Sequence, residues 1–339
     1  MTKQKKISII MPAYNVGHVL HETFDSLLQQ TYTEWECLCM DDGSTDNTYD
    51  VMQRYAKQDK RFRIFQQKNA GVTTASNALL NQVDTQTTYI YFLDSDDYIH
   101  PQTFETLVRI QQKTQVDAVE GSCVRVTDKK PDSYFQPIHL HETDVTVLTD
   151  LSVYLLKRTR QNLSAMWINK CKLYVWDKIK QVRFHEKLSY EDDYFYNSQL
   201  HTIMSSKAIV NYAFYYYRLN PSSLTRSVNY QRYQDACTAR IYATYDYFIK
   251  GKRLPERILT EFCKDLSEDA YRMIGLKPVR RCRDKKLRRQ LFHKACLIFS
   301  DMRLEGILDV SLLSWYQRLV LWAFRCHLYG LTRFLMLFK

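Results

Sequence analysis

The stretch Tyr89-Ile90-Tyr91-Phe92-Leu93-Asp94-Ser95-Asp96-Asp97-Tyr98 runs from aromatic and β-branched residues straight into three acids within four positions. Its apolar half predicts a short buried strand, and the acids fall where that strand leaves the sheet. Three carboxylates buried side by side without partners would be prohibitive. They therefore face water as a turn or face a cation. The Asp-x-Asp spacing of Asp94 and Asp96 favours the cation, because residues two apart at a bending strand end can aim oxygens at one point. Hard oxygen ligands of this kind suit Mg²⁺ or Mn²⁺. In isolation the same four residues also make an ordinary polar turn, so the flanking chain has to decide.

Working outward, residues 6–12 predict a first strand ended by Pro12, and 16–30 carry Val16, Val19, Leu20, Phe24, Leu27 and Leu28 at a helical period. Residues 34–40 predict a second strand. The turn Asp41-Asp42-Gly43-Ser44-Thr45-Asp46 follows, with Ser44, Thr45 or Asp46 as candidate helix cap. A helix over 47–58, a strand over 62–66, the turn Asn69-Ala70-Gly71-Val72 and a helix over 73–83 lead into the strand at 89–93. Pro101 opens a helix to about residue 112, and 116–126 predict another strand. Strand–helix units repeated in this way mean a mostly parallel sheet with helices on both faces. Ligands bind beyond the carboxyl ends of such strands. The loops at 12–15, 41–46 and 94–97 should therefore converge on one site, which favours the cation over the plain turn.

Residues 127–150 are polar and read as a surface excursion. Ordered structure resumes over 166–174. A second acidic knot, Glu191-Asp192-Asp193, precedes a helical stretch ending near His201. Acids in a first helical turn are also simple dipole partners. Residues 208–217 predict a strand. After Tyr230 the chain becomes helical, basic and poor in glycine. Residues 277–289 pack eight basic residues around a single Asp284. Residues 312–338 are apolar and aromatic, with Arg318, Arg325 and Arg333 near one helical face. That pattern fits a helix in a membrane interface and equally an amphipathic helix packed on the protein's own core.

Composition sets the outer bounds. With 339 residues, 45% of them hydrophobic, and only 8 Gly and 7 Pro, the chain is globular and buries a substantial core. The net charge of +11 is uneven: residues 231–339 hold 22 Lys/Arg against 11 Asp/Glu, and residues 1–230 hold 26 of each. The excess implies an anionic partner for the last third. No recognised nucleic-acid module accompanies the basic cluster, so a membrane surface is expected rather than nucleic acid. No secretory or spanning segment is read. The 9 cysteines are an odd number without metal-ligand spacing, which predicts reduced thiols in a cytoplasmic protein.

Taken in order, Ser8-Ile9-Ile10-Met11-Pro12-Ala13-Tyr14-Asn15, Met40-Asp41-Asp42-Gly43-Ser44-Thr45-Asp46, Asn69-Ala70-Gly71-Val72 and Phe92-Leu93-Asp94-Ser95-Asp96-Asp97 resemble the successive signatures of the family 2 glycosyltransferases, which have the GT-A fold. The resemblance covers about residues 5–225. Trp167 with Asn169-Lys170, and Glu191-Asp192, resemble the family's acceptor-side elements. The resemblance implies a catalytic domain over 1–230, and the helical basic region over 231–339, read from its composition, follows it without a family signature. The resemblance implies an inverting transfer from a nucleotide-sugar, usually a UDP-sugar, to a glycan or lipid-linked glycan. Pro12 and Ala13 would line the base pocket and Tyr14 would stack on the base. Asp41 would meet the uracil edge, with Asp42 supporting the pocket. Asp94 and Asp96 would bind ribose and the metal-bridged diphosphate, and Arg218 would meet the diphosphate. Asp192 would be the general base, with Asp193 as its alternative.

The general chemistry agrees. A diphosphate leaving group needs its growing charge neutralised, which a Mn²⁺ or Mg²⁺ cofactor does as a Lewis acid, and one carboxylate base suffices for inversion. One departure stands out: Ser76-Asn77 occupies the place where the family commonly has Arg-Asn. Lys68 or Arg218 would then have to compensate. The alternative that this departure supports is a catalytically inactive protein that keeps the fold and binds a nucleotide or a membrane. His18, His21 and His100 read as surface or loop residues rather than ligands. The expected location is cytoplasmic, peripheral on the inner face of the plasma membrane.

Overall fold

The structure is a computed structural model and describes residues 5–127, 130–149, 151, 170–186, 188, 192–219, 230–251, 263, 267–268, 270–304, 311 and 313–335. The chain divides into two compact units. The first comprises Met1–Tyr154, Leu163–Glu186 and Tyr196–Pro221; the second comprises Leu155–Asn162, Lys187–Phe195 and Ser222–Lys339. Trp167, Asn169, Glu191 and the stretch 220–229 lie outside the described residues.

The first unit is built on one mixed sheet. Its strands are β1 (Lys6–Ala13), β2 (Trp35–Asp41), β3 (Phe62–Gln66), β4 (Thr87–Phe92), β5 (Tyr98–Ile99), β6 (Ala118–Val126), β7 (Val145–Leu148), β8 (Lys172–Val175) and β9 (Lys207–Arg218). They lie in the order β3-β2-β1-β4-β8-β6-β9-β5, with β7 also paired to β9. The half formed by β3, β2, β1 and β4 is parallel, as the strand–helix repeat predicts. The other half is not, because β8 inserts antiparallel to both β4 and β6. That strand is four residues long and carries a buried lysine, Lys172, so no alternation announces it.

Both faces of the parallel half are covered, which is why β1 and β2 read as continuous apolar runs. Ile7, Ile9 and Met11 point to the side where Phe24 and Leu27 of α1 (Leu20–Leu28), Val51 of α2 (Thr48–Gln58) and Phe104 and Leu107 of α4 (Thr103–Thr114) pack. Ile10, Leu38, Met40, Ile90 and Phe92 point to the other side, against Ala75 and Leu79 of α3 (Val72–Leu80) and against Tyr196 and Leu200. The period-2 alternation of β1 thus supplies two cores from one strand.

Local differences from the expected boundaries have physical causes. The first helix starts at Leu20 rather than residue 16. The residues before it form a turn in which Val19 N–H and Leu20 N–H both close on the Val16 carbonyl, while Val16 N–H and Gly17 N–H are tied to Thr48 Oγ1 at 2.9 Å and Asp46 Oδ2 at 3.0 Å. Residues 127–150 are not merely a surface excursion. Among the described ones, Tyr134 is buried, lies edge-on to Tyr98 and Tyr216, and donates to Gln29 Oε1 at 2.8 Å, while Val145–Leu148 joins the sheet. His100 is a loop residue but a buried one. Its Nδ1 accepts from Gln102 N–H and its Nε2 faces the Gln136 carbonyl, and burial lowers its pKa.

The second unit is helical among its described residues. Helices Tyr230–Thr244, Lys277–Arg281, Lys285–Leu304, Trp315–Arg325 and Tyr329–Leu335 are accompanied by π-helical turns at Tyr245–Lys250 and Ala270–Leu276. Its core gathers Cys237, Tyr271, Phe292, Cys296, Phe299, Leu321 and Phe324. The apolar stretch expected as one helix over 312–338 is two. His327 adopts φ 56°, a left-handed conformation that ends the first helix, and His327 N–H and Leu328 N–H close on the Phe324 and Ala323 carbonyls.

Gly43 shows how tightly the site-bearing loops are joined. It sits at φ +73°, and a Cβ there would meet the Asn69 backbone nitrogen at 2.6 Å. Gly43→Ala is expected to cost about 1–3 kcal/mol, read as a lower urea midpoint with unchanged m-value; an unchanged midpoint would show that the two turns separate freely.

Candidate active site

The carboxyl ends of β1, β2 and β4 lie side by side, since Ala13 pairs with Asp41 and Ile10 with Phe92. Three loops leave these ends, and hydrogen bonds fix each of them. Asp42 N–H donates to the Ala13 carbonyl at 2.9 Å, Asn15 N–H to Ser44 Oγ at 3.0 Å, and Thr45 N–H to Asn15 Oδ1 at 2.8 Å. Asn15 has φ 53°, a conformation that asparagine tolerates. The result holds Tyr14 outward: it is 49% exposed, while Ala13 below it is buried and Pro12 half-buried.

Asp41 and Asp42 are both buried. Asp42 clamps the next turn, with Oδ1 accepting from Gln67 Nε2 and Ala70 N–H and Oδ2 from Gly71 N–H. Asp41 accepts from Ser44 N–H at 3.1 Å and Gln66 Nε2 at 2.9 Å. A carboxylate has about four acceptor positions, so Asp41 retains capacity for a further donor. Asp46 takes Thr48 N–H, Thr48 Oγ1 and Gly17 N–H. Burial alone would raise its pKa, but these bonds hold it below the usual carboxylate range. Much of the Asp41–Asp46 signature is thus a set of stitches that shape the loops.

The acid loop itself is pinned at every residue. Leu93 N–H donates to Ile10 O, Asp94 N–H to Tyr215 Oη, Thr23 Oγ1 to Ser95 O, and Asp97 N–H to Asp94 O. Arg218 Nε donates to Asp96 O at 3.0 Å, and its Nη2 binds Glu22 Oε2 at 2.9 Å. Asp97 is fully buried, and both of its oxygens are engaged, by Tyr215 Oη at 2.6 Å and by Arg218 N–H at 2.7 Å. Burial and the neighbouring acids push the Asp97 carboxyl well up, and burial with Asp97 beside it does the same to the Tyr215 phenol. Two carboxylates then remain for chemistry. Asp94 lies 3.1 Å from Lys170 Nζ. Asp96 is pushed up to about 6, by burial first and by the charge of Asp94 second.

A divalent cation fits this arrangement. Asp94, Asp96 and Asp97 offer ligand oxygens within 4.8 Å of one another. Asp97 is spent inward, so Asp94 and Asp96 would hold the ion, with water and ligand oxygens completing it as is usual for Mg²⁺. The raised Asp96 pKa is the electrostatic cost of two close carboxylates that such an ion would remove.

Of the residues singled out from sequence, Pro12, Ala13, Tyr14, Asp41, Asp42, Asp94, Asp96 and Arg218 all fall in the first unit, at these strand ends and on β9. Asp192 opens the helix Asp192–Ile203 and belongs to the second unit, half-buried, as does Asp193. Ser76 is buried on α3, and the neighbouring Asn77 brackets the backbone of Phe184, giving and accepting bonds of 2.9 and 2.8 Å. Lys68 is exposed. Glu22 and Lys170 enter as the charged partners of Arg218 and Asp94. Neither pairing is visible in sequence, because the partners are distant in the chain.

A parallel half-sheet with paired acids at the end of its fourth strand defines a glycosyltransferase of the GT-A type. Residues 8–174 match the profile "Glycosyl transferase family 2", and that part of the chain belongs to the family. It is 27% identical over 239 residues to "Glycosyltransferase GlyA" of Streptococcus pneumoniae serotype 4 (strain ATCC BAA-334 / TIGR4), a match covering 67% of this chain and 32% of that protein. This chain therefore spans about a third of GlyA. It is 26% identical over 345 residues to "Uncharacterized glycosyltransferase YibD" of Escherichia coli (strain K12), covering 96% of this chain and 93% of YibD. The solved structure of S. aureus TarS 1-349 in complex with UDP-GlcNAc aligns with a TM-score of 0.69 at 18% identity, covering 98% of this chain and 90% of that one. That likeness establishes the fold.

Two outcomes are expected. Tyr215→Phe leaves buried Asp97 short of a donor and should destabilise the protein by about 1–3 kcal/mol, read by urea denaturation. Mn²⁺ affinity should fall about tenfold per pH unit once pH drops below the Asp96 value of about 6, because the proton and the cation compete for one carboxylate. Calorimetric affinity that is flat between acid and neutral pH would remove Asp96 from the ligand set.

Proposed function

We propose that this protein is an inverting, metal-dependent transferase that moves a sugar from a UDP-sugar to a hydroxyl of a glycan or lipid-linked glycan in cell-surface polysaccharide synthesis, working at the inner face of the plasma membrane. The observation that carries the proposal is the pinned loop in which Asp97 is turned inward and the half-buried Asp94 and Asp96 keep oxygens close together, at the same strand ends that carry the exposed ring of Tyr14. Support for a UDP-sugar comes from TarS, solved with UDP-GlcNAc. Support for sugar transfer comes from the relatives named as glycosyltransferases.

In this mechanism the Tyr14 ring stacks on the base, over a floor of Pro12 and Ala13, and the Asp41 carboxylate accepts from the uracil edge. Asp42 keeps that pocket in shape through its bonds to Ala70 and Gly71. Asp94 and Asp96 hold Mn²⁺ or Mg²⁺, which when bound neutralises charge on the diphosphate leaving group. Arg218 faces the diphosphate through Nη1, the guanidinium nitrogen that makes no hydrogen bond among the described residues. Lys170 supplies a cation beside Asp94, in a site where Ser76 brings none. Asp192 removes the proton of the acceptor hydroxyl as its oxygen bonds to the anomeric carbon. The bond from that carbon to the diphosphate oxygen breaks on the opposite face, so one displacement inverts the centre.

Asp192→Asn should lower kcat for UDP release by about 10²–10⁴-fold and leave UDP-sugar affinity nearly intact. Asp96→Ala should abolish both transfer and the metal dependence of donor binding. Full activity in Asp192→Asn would move the base to Asp193. An absence of metal-dependent turnover with every UDP-sugar would instead favour a fold kept for binding alone.

A further inference from the structure

The helical second unit concentrates two features that the transfer chemistry does not use. The first is a concave basic site of about 650 Å³ on helix Lys285–Leu304, lined by Lys285, Lys286, Arg288, Arg289, His293 and Tyr329. Asp284 is the single acid of this segment, and its Oδ1 accepts from Leu287 N–H at 2.6 Å at the start of the helix, which leaves the site strongly net basic. Arg288 is braced into place, with Nε on Tyr329 Oη at 3.0 Å and Nη1 on the Cys282 carbonyl at 3.0 Å. Lys285, Lys286 and Arg289 stand exposed.

The second feature is a set of large apolar side chains turned to solvent. Trp315 is 74% exposed and Leu297 68%, and Trp322, Leu328, Leu331 and Phe334 are exposed with them. Their placement is ordered. Helix Trp315–Arg325 buries Gln317, Val320, Leu321 and Phe324, so Trp315 and Trp322, seven residues apart, lie on its opposite face. Helix Lys285–Leu304 buries Leu291, Phe292, Ala295 and Phe299 in the same core, so Lys286, His293 and Leu297 form its outward stripe. The rings of Phe292 and Phe324 stack at 5.0 Å where the two helices meet. Tyr329, half-buried against the core, lines the basic site and begins the short helix on which Leu331 and Phe334 are exposed.

We propose that this face is a monotopic docking surface for an anionic phospholipid bilayer: Lys285, Lys286, Arg288 and Arg289 take headgroup phosphates while Trp315, Trp322 and the neighbouring apolar side chains enter the interfacial layer. The proposal rests on the membrane-peripheral part of the function proposed above and names the surface responsible. Exposed tryptophans beside a polybasic cluster match the two-signal requirement for stable interfacial binding. No helix among the described residues is long and apolar enough to cross a membrane, so attachment here lies along the surface. A second copy of this chain is a poor occupant, because residues 231–339 hold 22 Lys/Arg against 11 Asp/Glu and like charge would meet like. The arginines of the last helices contribute less than their spacing suggests: Arg318 folds back on the carbonyls of Ser311 and Leu313.

The test is co-sedimentation of the full chain with phosphatidylcholine vesicles, with and without phosphatidylglycerol. The wild-type protein should bind only the anionic vesicles and be released by salt. The Lys285→Gln/Lys286→Gln/Arg289→Gln triple variant should bind about a hundredfold more weakly at low salt, from about fivefold for each of the three charges. Trp315→Ala/Trp322→Ala should lose a similar factor. Trp315→Phe/Trp322→Phe, a milder pair that guards against misfolding, should keep binding but lose tryptophan quenching by brominated lipid. Equal binding to neutral vesicles, unchanged binding in the charge variant, or quenching that persists in the phenylalanine pair would overturn the proposal. So would a wild-type dimer that the tryptophan variants dissociate, retention on DNA, or inorganic phosphate binding without vesicle binding. UDP release measured without lipid in the same preparations reports the transferase proposal separately: the docking variants should retain it, and its absence in wild type would overturn that proposal and leave the vesicle result standing.

Discussion

The site depends on one buried carboxylate that does no chemistry. Asp97 is fully enclosed and accepts hydrogen bonds from the Tyr215 hydroxyl and the Arg218 backbone. A buried carboxylate with too few donors is costly, so this pairing locks the acid loop to β9 in a single register. The same tyrosine hydroxyl receives Asp94 N–H, and the same arginine reaches back to the Asp96 carbonyl and on to Glu22. Three residues of the loop, Asp94 and Asp96 through their backbone and Asp97 through its side chain, are therefore held by two residues on a strand more than a hundred positions later. Asp94 and Asp96 are the carboxylates left over from that arrangement, and their closeness follows from it.

A comparable economy operates at the other strand ends. Asp42 and Asp46 use their oxygens to join loops, and Asn15 completes the join through both its backbone and its side chain. The turn before α1 is tied into the same network through Val16 N–H and Gly17 N–H, and Tyr14 stands exposed above a buried Ala13. Conformational entropy is thereby removed from the loops by the fold itself, before any ligand arrives, and preorganisation of this kind leaves less ordering cost for a ligand to meet. The two-sided core beneath makes it rigid: alternate residues of β1 serve separate clusters, so no strand can shift by one position without exchanging them.

The second unit follows a different logic. Its helices satisfy their own core with Phe292, Phe299 and Phe324 and still leave tryptophans and basic residues facing outward. From sequence, membrane-surface helix and core-packed helix stood as alternatives for residues 312–338. The structure shows one face of Trp315–Arg325 packed inward and the other, with Trp315 and Trp322, exposed. Expected as continuous, the helix breaks where His327 adopts a left-handed conformation, a single-residue event that hydrophobic periodicity does not register.

The sequence by itself determined the parallel half of the sheet, the strand ends that bear the loops, and the acid pair Asp94 and Asp96. Those features are local: apolar runs of strand length, turn residues between them, and acids at fixed spacing, each legible within a few positions. It also determined the uneven charge, which needs only counting. Tertiary structure alone decided the antiparallel insertion of β8, the pairing of Lys170 with Asp94, the tie from Glu22 to Arg218, and the inward turn of Asp97. Each of these joins residues far apart in the chain, and the free energy that selects them, desolvation of charge balanced against a distant partner, exists only once the sheet has brought the partners together.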